Sequence, residues 1–195
     1  MADAPTVVVD TNVLLNLATP VVDGRPRAPS GADPLKTVLT AYDVHVPRAV
    51  MGEVTEAAAG EDLLAAAATL VGRAAERLTT HDVAADIDPP LSYGLDRGES
   101  RGIWLANDLG AAMFVTDEFN TTNYLFVGLA LADRNTLFTT PHVLCRLAAE
   151  GVLAAAYVEQ ALTYFVETKG WEGSYVSRLR ARYLGDEAVR VCTQC

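Results

Sequence analysis

Val7-Val8-Val9-Asp10-Thr11-Asn12 decides how this chain is read. Consecutive valines describe a strand buried on both faces, as in a parallel sheet, and the run stops on a carboxylate. Ala111-Ala112-Met113-Phe114-Val115 repeats the pattern and stops at Thr116-Asp117-Glu118. Open α/β sheets bind ligands outside the carboxyl ends of their strands, so two apolar strands that each end on an acid predict one site at that edge. Function is therefore sought among the acids.

Working outward, strands alternate with helices through most of the chain, which predicts an α/β fold of three layers, a central parallel sheet flanked by helices. Asn12 is expected to cap a short apolar helix through Leu17, and Pro20 to Pro34, rich in Pro, Gly, Asp and Arg, reads as a loop. A helix near Leu35 to Tyr42 leads to a strand at Val44-His45-Val46, and Pro47 suits the first position of the next helix. Further helices are expected at about Asp62 to Arg77 and Gly98 to Leu109, the latter closed by Gly110, with a looser stretch from Thr79 to Gly94 between them. A helix near Thr122 to Leu131, a strand at Thr136 to Thr139 and a helix from Thr140 to Gly151 follow. Two last helices carry Tyr157, Val158, Ala161, Leu162 and Phe165, then Val176, Leu179 and Tyr183, on their apolar faces. Residues 1–195 are expected to form one domain, with 152–195 as a C-terminal helical extension.

Half of the 195 residues are hydrophobic, enough for a sizeable core, and no apolar run reaches the length of a membrane span. With no signal-peptide pattern at Met1 to Pro5, a cytoplasmic protein is the expectation. The net charge of −10 argues against a broad basic footprint for nucleic acid, yet Lys36 and Lys169 are the only lysines among 15 basic residues. An acidic, lysine-poor surface is expected of a protein kept soluble in concentrated salt, where screening makes a large net charge tolerable. Local arginines still hold phosphate there. Cys192 and Cys195 have the spacing of half a zinc site that His142 and Cys145 complete only on paper, and a lone tail pair reads more simply as a reduced terminus.

Asp10 or Asp117 alone reads as a helix cap. Both at strand exits read better as a shared site. Glu53 flanks the apolar face of the helix after Pro47, while Glu56 points toward solvent. Asp96 and Glu99 have the spacing of a capping box, and Glu99 shares a face with Ile103 and Ala106. Together Asp10, Glu53, Glu99 and Asp117 form a set with a chemical purpose, because packed carboxylates repel unless cations neutralise them. Mg²⁺ or Mn²⁺ suits such oxygen ligands, and so bound it polarises a phosphodiester and activates water. No histidine is needed as a base: His45, His81 and His142 carry no motif.

Val7 to Asn12, Pro47 to Glu53, Gly98-Glu99-Ser100 and Val115-Thr116-Asp117-Glu118 together resemble the PIN-domain nuclease superfamily, over roughly residues 6 to 150. The tail is similar to a prokaryotic PIN branch in which helices follow the last strand. The resemblance implies that Asp10, Glu53, Glu99 and Asp117 bind Mg²⁺ or Mn²⁺ and cut RNA, in a toxin of a toxin–antitoxin pair or in an RNA-processing enzyme. It also implies an antitoxin protein or a second copy of the chain as partner. Thr11, Asn12, Arg48, Arg97, Arg101 and Asn120 are the candidate substrate contacts. The branch usually carries basic residues after the fourth acid, where this chain has Phe119-Asn120-Thr121-Thr122-Asn123. That departure favours a rival reading, a PIN-like binding scaffold. A receiver-type phosphate-transfer domain is disfavoured by the lack of a Gly-rich phosphate loop or a well-placed lysine. The Arg178, Arg180, Arg182 series reads as a solvated helix face.

Overall fold

The structure, a computed structural model, describes residues 4–26, 33–83, 95, 97–117 and 121–185. Its strands are β1 (Thr6–Val9), β2 (Asp43–Pro47), β3 (Thr79–His81), β4 (Met113–Val115) and β5 (Leu137–Phe138). They form one parallel sheet in the order β3-β2-β1-β4-β5. Between β1 and β2 lie α1 (Thr11–Asp23) and α2 (Pro34–Ala41), and between β2 and β3 lie α3 (Arg48–Ala57) and α4 (Leu63–Arg73). Then α5 (Arg97–Asp108) precedes β4 and α6 (Thr121–Ala130) precedes β5. The chain ends in α7 (Thr140–Ala149), α8 (Ala155–Lys169) and α9 (Gly173–Tyr183) among the described residues. This α/β architecture is the three-layer one expected from the strand runs.

Side-chain alternation assigns each strand residue to one layer. Val7 and Val9 of β1, Val44 and Val46 of β2, and Met113 and Val115 of β4 face a large core with α1 to α4 and α7 to α9. Val8 and Phe114 face a smaller core with Ile103 and Leu105 of α5 and Val127 of α6. Each buried Val, Leu or Phe contributes roughly 1.5–3 kcal/mol over its exposed state, so the valine run alone anchors the sheet. The apolar residues of α8 and α9 share the core of Val7 and Val9, with the Trp171 ring stacked on Phe165 at 4.3 Å. The C-terminal helices are thus structural members of the sheet's larger layer.

Several local expectations are corrected. Asp10, not Asn12, caps α1, its carboxylate accepting from the Thr11 N–H at 2.7 Å. The helix runs through Pro20 to Asp23 instead of giving way to a loop, because Val13 to Pro20 are buried and burial outweighs one lost backbone donor. Pro47 closes β2 and is the N-cap of α3 rather than its first residue. β3 was expected as irregular chain: Thr79-Thr80-His81 is a short, largely exposed edge strand without an apolar run to betray it.

Gly102 brings α5 onto β4 so closely that an added Cβ would lie 2.8 Å from the Phe114 ring, which is fully buried and has no room to yield. Gly102→Ala gains about 1 kcal/mol in helix propensity but meets an overpacking cost of roughly 1–3 kcal/mol. A lower denaturant midpoint at unchanged slope is expected. A midpoint at or above the parent's would show that α5 is free to move off the sheet.

Candidate active site

Strand order supplies the site. The chain leaves β1 toward β2 on one side and β4 toward β5 on the other, so the connections diverge between β1 and β4. Such a switch point leaves a crevice at the carboxyl ends of the strands, and Asp10 and Asp117 stand at these two ends. The Asp10 N–H donates to the Val115 carbonyl at 3.1 Å, and the Thr116 N–H donates to the Phe138 carbonyl at 3.0 Å. The Thr116 hydroxyl, fully buried, donates to the Asp10 Oδ2 at 3.4 Å. Asp117 is received by α7 and α1: it accepts from the Thr140 N–H at 2.8 Å, the Thr140 hydroxyl at 2.6 Å and the Asn16 amide at 2.7 Å. The Thr140 N–H opens α7, where a carboxylate is favoured by the helix dipole.

Glu53, exposed on α3, is joined to the same edge by the Thr11 hydroxyl, which donates to its Oε2. Glu99 lies in the first turn of α5 and is only 5% exposed, with Ser100 buried beside it. In a parallel crossover the helix runs back against the strands, so its first turn stands at the carboxyl edge. All four acids are thereby at one edge, although among the described residues no three His, Cys, Asp or Glu side chains are grouped as a metal site. Their hard carboxylate oxygens are the right donor chemistry for Mg²⁺ or Mn²⁺.

The candidate substrate contacts divide between two recesses. Asn12 is exposed and lines a cleft of about 790 Å³ with Asp117, Asn16 and residues of α6, α8 and α9. Arg48 and Arg101 line a second recess of about 330 Å³ near the ends of β2 and β3, where Arg48 is paired with Asp82 in bidentate fashion, its Nη2 at 2.9 Å. Thr11 is buried, with its hydroxyl on Glu53, which makes it a support for the acids. Asn120, Asp96, Glu118, Cys192 and Cys195 and the Arg97 side chain lie outside the described residues. His45 pairs with His81 at 2.8 Å and with Asp43 at 2.9 Å, and His142 pairs with the Tyr183 hydroxyl at 2.6 Å. Burial and the nearby Arg182 and Arg146 push His142 down to about 4, and burial first of all raises the Cys145 thiol to about 12.

Asn16, Tyr124, Lys169, Trp171, Tyr175 and Arg178 are among the site-lining residues missed in the sequence. The arginine series on α9 is not uniformly solvated. Arg178 faces the cleft, whereas Arg180 is salt-bridged to Glu159 at 2.9 Å and donates to the Thr163 hydroxyl at 2.7 Å. No protein-family model, curated protein or solved structure matches the chain.

Loss of hydration raises the Asp117 pKa above its ordinary value, against the lowering effect of Thr140, Asn16 and Lys169. A carboxyl whose folded pKa is raised binds its proton more tightly when folded, so its stabilising contribution is present below the unfolded value of about 3.9 and is lost as pH rises through the folded value. In EDTA, the Tm of the parent relative to Asp117→Asn should therefore fall as pH rises above the unfolded carboxylate value through the folded one. Parallel Tm profiles for the two proteins would overturn that assignment.

Proposed function

We propose that this chain is a metal-dependent ribonuclease of the PIN type, in which Asp10, Glu53, Glu99 and Asp117 hold Mg²⁺ or Mn²⁺ at the sheet edge. The observation that carries the reading is the meeting of Asp10 and Asp117 at a topological switch point, with Glu53 tied in through Thr11. A bound divalent ion would polarise the phosphodiester and lower the pKa of the attacking water. The chain's own residues do the positioning. Rigid strand ends fix Asp10 and Asp117, and Thr11, Thr116, Thr140 and Asn16 hold the carboxylates in place. Asn12 faces the cleft beside Asp117, in reach of substrate bound there.

A toxin paired with an antitoxin, or an RNA-processing enzyme, are the roles we infer for it. The apolar residues of α8 and α9 are in the core, and a partner surface is available elsewhere. It lies on α6, where Leu125, Phe126 and Leu129 are 61%, 47% and 80% exposed. An antitoxin segment or a second copy would remove this surface from water. The scaffold reading draws support from the same hydrogen bonds, since carboxylates satisfied by Thr and Asn donors are stable without a cation.

Asp10→Asn separates the two. An Asn side chain still accepts from the Thr11 N–H, and the Thr116 hydroxyl can accept from its amide, so the cap survives while the charge is lost. Mn²⁺ at constant ionic strength should raise the Tm of the parent, because ligand that binds only the folded state stabilises it, and the shift should be much smaller in Asp10→Asn. Mn²⁺-dependent cleavage of mixed cellular RNA should disappear in the variant with its metal-free Tm little changed. Equal cleavage by both proteins would place the activity elsewhere, and no cleavage by the parent across metals and salts would leave the scaffold.

A further inference from the structure

We propose that the corner between α8 and α9 completes the substrate site: the cleft beside Asp117 takes single-stranded RNA, with Lys169 and Arg178 on its phosphodiesters and the Tyr124 ring against a base. This rests on the ribonuclease reading and assigns it a substrate wall.

The corner is built to hold a fixed position. Gly170 ends α8 in the left-handed conformation at φ 66°, which lets the chain reverse without strain. Trp171 then folds back onto Phe165, and the Tyr175 hydroxyl pairs with the Thr139 hydroxyl at 2.7 Å, beside the start of α7 that receives Asp117. Lys169 and Arg178 thus stand on the wall of the cleft whose floor includes Asp117.

Two cations share the cleft beside Asp117 with an aromatic ring. In a chain of net charge −10, Arg25, Arg48, Arg146 and Arg180 are each turned to an acid, Asp23, Asp82, Glu150 and Glu159. Lys169 and Arg178 are exposed and have no ion pair among the described residues, and the acid on their own wall, Glu172, is held by the Ser174 hydroxyl. Uncommitted cations spaced along a cleft that also presents an aromatic ring, Tyr124 at 38% exposure, form the pattern that tracks a nucleic-acid strand: charge for the backbone, a π-face for the base. A duplex keeps its base faces stacked inside and offers none to such a ring.

The test is anisotropy titration of labelled oligouridylate with the full chain in EDTA over a range of salt, with each variant's Tm checked. Lys169→Gln and Arg178→Gln should each reduce the salt slope of log K by about 0.7. Tyr124→Leu should weaken binding roughly 5- to 100-fold at unchanged slope. Parental slopes for both charge variants, with the loss appearing instead in Arg48→Ala or Arg101→Ala, would overturn this wall and leave the ribonuclease reading intact. Absence of oligouridylate binding by the parent would also overturn it, while the Mn²⁺ shift and the cleavage assay judge the ribonuclease reading independently.

Discussion

The hydrogen bond from the Asp10 N–H to the Val115 carbonyl, 3.1 Å long, carries β1 into register with β4 one residue past the strand itself. It fixes the place where the connections of the sheet part company, and every candidate catalytic group is positioned relative to it. Displacing β1 by one residue would turn Val7 and Val9 into the wrong layer. The apolar pattern that stabilises the sheet is therefore the same constraint that puts Asp10 at its edge.

Hydroxyl and amide side chains connect charge to fold around that point. Thr11 links Asp10 to Glu53, Thr116 reaches back to Asp10, and Thr140 with Asn16 surrounds Asp117. A hydroxyl donates to a carboxylate yet retains lone pairs and rotates at little cost. Such donors stabilise acids in an empty site and still yield part of each carboxylate to a cation, which a lysine or arginine in the same place would resist.

The sequence was legible where one physical signal dominates. Continuous apolar runs identify β1 and β4 because burial on both faces leaves no room for polar alternation, and Gly110 at φ 57° ends α5 as its position implied. It was illegible where tertiary packing overrules local propensity: Pro20 inside α1, and β3, whose Thr79-Thr80-His81 becomes a strand only through its backbone bonds to β2. Glu53 and Glu99 could be placed on helix faces, but the Thr11 bond that brings Glu53 to the edge spans 42 positions and has no local signature. Arg178 read as an ordinary solvated cation for the same reason, since nothing in its spacing from Lys169 reveals a corner that places both beside Asp117.

That corner alters how the C-terminal helices are understood. A cleft wall made from a mobile loop can open at little cost, because few apolar contacts resist it. Here Trp171 and Phe165 are buried in the core that also contains Val7 and Val9, so moving the wall would expose the center of the larger layer. The wall is consequently held by the same core as the sheet edge, and the strand proposed to bind there would leave little ordering entropy to be lost by the wall. Preorganisation of this kind lowers the entropy cost of any contact that Lys169 and Arg178 make, which counts most in a chain of net charge −10.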